Sequence, residues 1–215
     1  MPGHRFFAAV YDRLMKSTEE AGLGEMRAGL LAEARGRTLE LGAGTGVNLG
    51  HYTPAVTELV LTEPDPFMAR RLRDKAGEET PAAGSVEVIE ASAERLPFDD
   101  DSFDTVVSTL VLCTVDDPDR AGAELSRVLG PGGRLLYIEH VRGAPGERLE
   151  RWQDRLERPW GWIAGGCHPN RDTGTTLSRA GFVDEHVENG RLPKAPPLVG
   201  PLIRGAASSP PRPDG

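Results

Sequence analysis

The sequence holds only two cysteines in 215 residues, Cys113 and Cys167, 54 positions apart. Neither belongs to a CxxC pair, so neither a disulfide framework nor a zinc knuckle is indicated, and a reducing cytoplasm is the expected compartment. Long apolar runs are also missing. The longest uncharged apolar stretch, 105–115, falls far short of the ~20 residues that span a bilayer, and no leader-type apolar core follows Met1. A soluble chain without stable membrane insertion is expected. Basic charge is in the minority: 25 Lys and Arg face 33 Asp and Glu, giving a net charge of −8, with no basic stripe of the kind that phosphate contacts need. Nucleic acid is therefore not an expected partner. The 26 Gly and 18 Pro make up about a fifth of the chain, short of low complexity, and 38% apolar with 27% charged residues excludes collagen-like, coiled-coil and wholly disordered chains. One domain with one core is the expectation for this length.

What is present is an alternation of short β-rich runs and helical patterns. The strand candidates are 38–41, 58–62, 86–89, 105–109, 134–139 and 182–187, and one more apolar run covers 198–207. This is the rhythm of a parallel sheet. The segment 105–112 is nearly continuous in apolar and β-branched residues, as a strand covered by helices on both faces requires. Pro131-Gly-Gly133 is expected to end a helix over 120–129 and start the next strand. Two helical stretches, 6–16 and 26–34, precede the first strand. The domain is expected to run over 1–207, with residues 1–35 as a helical lid and an insertion at about 143–176 holding Trp152, Trp160 and Trp162. Residues 208–215 are expected to have no fixed structure.

The most informative segment is Thr38-Leu-Glu-Leu-Gly-Ala-Gly-Thr-Gly-Val-Asn48. A β run ends in Gly42-x-Gly44-x-Gly46, and an acidic residue, Glu63, stands 21 residues after Gly42 at the end of the second strand. Glycines at that turn let the backbone approach a ligand at the carboxyl edge of the sheet, and the carboxylate can accept from both ribose hydroxyls. An adenosine-containing cofactor follows. The dinucleotide fingerprint requires Gly or Ala at position 47, which is Val, and no Gly-Lys-Ser/Thr follows for a P-loop.

The Glu-Leu-Gly-x-Gly-x-Gly form resembles motif I of the class I S-adenosylmethionine-dependent methyltransferases. Ala91-Ser-Ala-Glu-Arg-Leu-Pro-Phe98 resembles their adenine loop, Phe103-Asp-Thr-Val-Val-Ser108 their fourth-strand motif, and Arg127-Val-Leu-Gly-Pro-Gly-Gly133 their turn before strand five. The resemblance implies a doubly wound, mostly parallel α/β sheet of seven strands in the order 3-2-1-4-5-7-6. It also implies S-adenosyl-L-methionine as cofactor, held by Glu40, Gly42, Gly44, Gly46, Asn48, Glu63, Ser92, Ala93 and Thr109. Many relatives have Asp where this chain has Ser92, whose hydroxyl can still accept from the adenine amino group. A non-catalytic adenosine-binding module stays open as an alternative.

Thr109-Leu-Val-Leu-Cys-Thr-Val115, Tyr137-Ile-Glu-His140, Trp152-Gln, Trp160 and Gly166-Cys-His-Pro-Asn-Arg-Asp172 together resemble the methyltransferase-like-seven family of alkyl thiol S-methyltransferases. Ubiquinone and phospholipid methyltransferases share motif I and the Leu-Pro-Phe loop, so quinone, phospholipid or amine acceptors stay open beside a small apolar thiol. Methyl transfer from a sulfonium needs mainly proximity and a dry, aligned pocket. His140, read as one residue beyond strand five, is the candidate catalytic residue that takes a proton or orients the acceptor; the alternative is that Glu139 and His140 only bind local backbone. Cys167 beside His168 reads as packing rather than a nucleophile pair. The tryptophans either line an acceptor pocket or bury the insertion, with Leu149, Trp152 and Leu156 as the apolar stripe. Tyr11 lies in the first helix, as lid or packing. No metal site is expected, since Asp99-Asp-Asp101 lacks further ligands. The oligomeric state cannot be read.

Overall fold

The computed structural model describes residues 15–79 and 82–209. Seven strands form one sheet: β1 (Gly36–Leu41), β2 (Val56–Thr62), β3 (Val86–Ile89), β4 (Phe103–Thr109), β5 (Leu129–His140), β6 (Val183–Arg191) and β7 (Pro201–Ser208). Their order is β3-β2-β1-β4-β5-β7-β6, with β7 antiparallel to both β5 and β6 and the other pairs parallel. This is the expected order and class.

The near-continuous apolar runs are covered on both faces, and the period of two sorts them cleanly. On one face Leu39, Val60, Val106, Leu135 and Tyr137 pack with α3 (Pro118–Val128) and α5 (Thr173–Arg179). On the other, Leu59, Leu61, Val107, Leu136 and Ile138 pack with α1 (Gly24–Leu31) and α2 (Pro66–Glu78). Truncating a fully buried residue such as Leu61 or Leu136 to Ala would cost about 2–5 kcal/mol.

Helix starts are written locally. Asp65 accepts from the Phe67 and Met68 amides ahead of α2, and Asp117 accepts from the Arg120 amide ahead of α3, each with Pro at the first helical position. The remaining helix, α4 (Arg148–Ile163), belongs to the insertion.

Several boundaries differ from the sequence expectation. Helix α1 spans 24–31 and follows a π-type turn over Glu19–Leu23. The Pro131-Gly-Gly133 turn lies inside β5: Phe103 pairs with Leu129 and Thr105 with Arg134, so the intervening glycines bulge out of the ladder. His140 is the last residue of β5 rather than one beyond it. Ser208 belongs to β7, and the Ser209 amide donates to the Gly133 carbonyl, so the chain stays tied down past 207. Tyr11 and most of the 6–16 stretch lie outside the described residues.

Candidate functional site

From β1 the chain runs outward to β2 and β3, then returns to β4 on the other side of β1. The carboxyl ends of β1 and β4 therefore flank the switch point where open α/β sheets bind ligands. Immediately after Leu41 come Gly42, Gly44 and Gly46, all at positive φ. A Cβ on Gly42 would lie 2.9 Å from Val111, and one on Gly46 2.7 Å from Leu49, so protein already fills those spaces. At Gly44, with φ of 59°, a Cβ would meet nothing closer than the Gly42 carbonyl oxygen at 4.0 Å. The space beside Gly44 is open, as close approach of a ligand requires.

Glu63 follows β2 and faces this loop. Its Oε2 accepts from the Gly44 amide and its Oε1 from the Asp65 amide, both at 2.9 Å. Burial pushes the carboxyl pKa up, opposed by those two amide donors. Each oxygen retains a second lone-pair direction, so the carboxylate can still receive hydroxyl protons. Open space at Gly44 and an acceptor at Glu63 fit a nucleoside cofactor.

Beneath the loop lies a buried polar network. Glu40 accepts from Asn48 Nδ2 at 2.8 Å and from the Tyr52 hydroxyl at 2.7 Å. Arg27 of α1, only 2% exposed, donates to Asn48 Oδ1 at 3.1 Å, to Thr109 Oγ1 at 2.7 Å and to Glu19 at 3.2 Å. Asn48 Nδ2 also donates to Thr109 Oγ1 at 3.0 Å. Desolvation pushes the Glu40 carboxyl up to about 7 against the pull of Tyr52, Asn48 and Arg27. Glu40, Asn48 and Thr109 are thus brought together under the glycine loop. Arg27 was not singled out from sequence; an arginine inside an otherwise apolar helical stretch was the available signal.

Ser92 and Ala93 lie in the loop after β3. The Ser92 hydroxyl accepts from the Glu94 amide at 3.3 Å, and the loop is held to α3 by Leu96 N–H donating to Glu124 at 2.8 Å.

The other half of the carboxyl edge is built by β4, β5 and the insertion. Glu139 Oε1 accepts from Ser108 Oγ at 2.7 Å and from the Val111 and Leu112 amides at 3.0 and 3.2 Å. It fixes the turn after β4, where Leu110 adopts a left-handed φ of 61°. His140 does more than bind local backbone: its Nε2 lies 2.9 Å from Cys167 Sγ. Cys113, His140 and Cys167 converge, with their three ligating atoms all within 4.8 Å of one another. The Cys113 thiol, and then His140 and the Trp160 indole N–H, hold the Cys167 thiol below its ordinary pKa, while Cys113 is pushed up by the same contact and by burial. Glu139 Oε2 and His140 Nδ1 are buried without a partner among the described residues.

In the insertion Cys167 is packed and is not paired with His168, as expected, while the reading of the helical stripe changes. His168 pairs with Glu157 at 2.7 Å through Nδ1, so the histidine facing Cys167 is His140. Helix α4 buries the face carrying Gln153, which binds Gly143 N, Val141 O and Leu198 O, and its Trp152 and Leu156 stripe is partly exposed. Trp162 is 92% exposed and lines nothing; Trp160 alone of the three packs on Cys113, Cys167 and Val199. Cys113 was not picked out from sequence, because only the adjacency of β4 and β5 brings it to His140.

A family described as a methyltransferase domain matches residues 39–137. The chain is 33% identical over 200 residues to human thiol S-methyltransferase TMT1B, covering 91% of this chain and 80% of that protein. It is 39% identical over 106 residues to the ubiquinone/menaquinone biosynthesis C-methyltransferase UbiE of Vibrio vulnificus (strain YJ016), covering 48% of this chain and 40% of that one. A solved SAM-dependent methyltransferase from Thermotoga maritima has the same fold, with a TM-score of 0.68, 24% identity, and 95% of this chain and 97% of that one covered. The sheet agrees with these matches: the chain belongs to the TMT1 thiol S-methyltransferase family and is a class I methyltransferase that uses S-adenosyl-L-methionine.

Proposed function

We propose that this enzyme methylates the sulfur of a small, apolar thiol. The observation that carries the reading is the extent of the likeness to TMT1B. It runs over 91% of this chain and so takes in the insertion, whereas the UbiE likeness covers 48%. Bound at the carboxyl edge of β1, the cofactor supplies a methyl group already activated on a sulfonium.

What the chain must add is modest. Glu63, Gly42, Gly44, Gly46, Ser92 and Ala93 hold the cofactor in this reading, and Glu40, Asn48 and Thr109 hold the glycine loop from below. His140 stands on the acceptor side, at the end of β5, against two buried cysteines that themselves pack with Trp160 and Val199. A thiol has a pKa of about 8.5 and needs only small help to react as thiolate, which these soft, apolar surroundings suit better than a weakly acidic carbon or a protonated amine. The chain acts as one domain, and the described part of its N-terminal region, through Arg27, holds Asn48 and Thr109 on the cofactor side. Its two unbridged cysteines suit a reducing cytoplasm, and its acidic balance suits a small-molecule acceptor rather than nucleic acid. Among the described residues no helix is long and apolar enough to cross a membrane.

The test is a panel of alkyl thiols, amines and phenols with methyl-labelled cofactor. Thiols should be turned over, and His140→Ala should lose most rate below the thiol pKa, with the loss fading as pH rises. Turnover of amines or phenols with no thiol methylated overturns the reading.

A further inference from the structure

We infer that Cys113, His140 and Cys167 are the three protein ligands of a zinc-class metal ion whose remaining coordination position receives the sulfur of the acceptor. The second half of this inference rests on the thiol reading above; the metal site itself does not.

The donors are two thiols and an imidazole, a borderline-soft set that suits zinc and disfavours magnesium, calcium or manganese. Tetrahedral zinc, with Zn–S of about 2.3 Å and Zn–N of about 2.0–2.1 Å, places such donors roughly 3.6–3.8 Å apart. Here all three lie within 4.8 Å of one another, and His140 Nε2 is 2.9 Å from Cys167 Sγ. One ion fits between them after side-chain rotations that open that pair by roughly 0.7 Å. Three protein ligands with one open position is the arrangement of catalytic rather than structural zinc.

Each ligand is carried on a supported segment. His140 closes β5. Cys113 sits on the turn that Glu139 fixes through the Val111 and Leu112 amides. Cys167 follows Gly165 and Gly166, whose φ values of 63° and 92° reverse the chain after α4. The His168 amide then donates to the Cys113 carbonyl at 2.8 Å, docking the two cysteine segments together, while Trp160 Nε1 donates to Cys167 Sγ at 3.3 Å, the kind of outer-shell bond that orients a ligating sulfur. The cluster is buried, with Cys113 at 2%, His140 at 4% and Cys167 at 8% exposure. The Cys113 thiol reaches only the Leu110 carbonyl oxygen, at 3.5 Å, apart from the other members of the cluster, and His140 presents Nε2 rather than Nδ1 to the sulfurs. The cluster lies at the carboxyl edge beyond β4 and β5, on the acceptor side of the glycine loop.

A metal there would do for the acceptor what a base would otherwise do. On binding the ion the thiol releases its proton to solvent, because a coordinating thiol is deprotonated. The thiolate's lone pair then forms the new S–CH3 bond as the methyl–sulfonium bond breaks, and that bond's electron pair stays on the departing thioether. Charge and atoms balance without a redox partner.

The full-length protein, purified without chelator, should carry one zinc per chain by elemental analysis. Cobalt(II) exchanged for zinc should give thiolate-to-cobalt charge-transfer absorption that weakens in Cys113→Ser and Cys167→Ser and disappears in the double variant. Replacing a direct ligand, as in His140→Ala, should lower zinc affinity by more than the roughly 10–100-fold that outer-shell changes cost. Cofactor titration and thermal unfolding check that each variant is folded, and wild type stripped with chelator needs no variant at all. An alkyl thiol should intensify the cobalt band, and stripping should lower thiol methylation at neutral pH at least tenfold, with zinc restoring it and cofactor affinity unchanged. Zinc absent and not taken up, or a Cys113–Cys167 disulfide in its place, overturns the metal site, and full thiol turnover by verified metal-free enzyme overturns the open-position ligand; both leave the thiol reading standing. Zinc bound with amines or phenols methylated but no thiol overturns the thiol reading and the open-position ligand together.

Discussion

Replacing Glu40 with Gln tests the largest electrostatic tension near the cofactor. Glu40 is 2% exposed, and burial pushes its carboxyl up to about 7 from an ordinary value of 4.5. Opposing effects meet there: desolvation favours the neutral acid, while the hydrogen bonds from Tyr52 and Asn48 and, after them, the Arg27 charge favour the carboxylate. Arg27 reaches Glu40 only through Asn48, and its own donors go to Asn48, Thr109 and Glu19, so desolvation wins. Between pH 4.5 and about 7 the folded protein keeps a proton on Glu40 that the unfolded chain has released. The folded state binds more protons in that window, so stability falls as pH rises through it and levels off above about 7. At ~1.4 kcal/mol per pH unit this amounts to about 3 kcal/mol.

Glutamine removes the titration while keeping the bonds. Its carbonyl can accept from Asn48, and its amide can donate to Tyr52 once that hydroxyl turns to accept. Urea unfolding of both proteins, without cofactor, across pH 4.5–8 should therefore show Glu40→Gln gaining on wild type by about 3 kcal/mol as pH rises. A constant difference refutes the burial account. A difference of opposite sign means that pairing with Arg27 wins and the network is an ion pair.

Glu63→Gln should weaken cofactor binding by roughly 1.5–3 kcal/mol, the worth of a charged acceptor, and also loosen the glycine loop, because an amide cannot accept from Gly44 and Asp65 amides on both of its atoms. Unchanged affinity in calorimetric titration refutes the ribose assignment. Gly44→Asn should abolish cofactor binding with little change in melting temperature, since Asn tolerates the left-handed φ of 59° and its side chain enters open space. Gly46→Ala should do the reverse and lower the melting temperature, since its Cβ would lie 2.7 Å from Leu49 and 2.9 Å from Leu72; equal losses of both properties in both variants would make the two glycines equivalent.

The cofactor half of this protein is legible because it is local. Leu39 to Glu63 is one β-loop-β stretch, so the glycines, the acidic residue and the period-two apolar runs sit close in the chain, and the sheet order is what the family resemblance of those motifs implies. Arg27 escapes such reading: a buried arginine makes sense only once Asn48 and Thr109, 21 and 82 positions away, lie against it. The insertion misleads for a different reason. Leu149, Trp152 and Leu156 have helical spacing, yet α4 docks through the amide of Gln153, whose bonds to Gly143, Val141 and Leu198 satisfy backbone groups that no apolar side chain could serve. Polar docking leaves the regularly spaced Trp152 and Leu156 partly exposed.

Glu139 and His140 explain how one strand end serves both the scaffold and the proposed acceptor side. Consecutive residues of a strand point to opposite faces, so neighbours in sequence take separate tasks. Glu139 gathers three donors from Ser108, Val111 and Leu112 and so holds the turn that follows β4 in place, including the left-handed Leu110. His140 turns the other way and meets Cys167. The turn that Glu139 holds carries Cys113, so the geometry between Cys113 and His140 is set by two adjacent residues of β5 rather than by the mobility of a loop. Cys167 is the exception. It arrives from the insertion, through a two-glycine reversal and the Trp160 contact, so variation in the insertion can alter the acceptor side while leaving the cofactor half, built on β1, β2 and α1, unchanged.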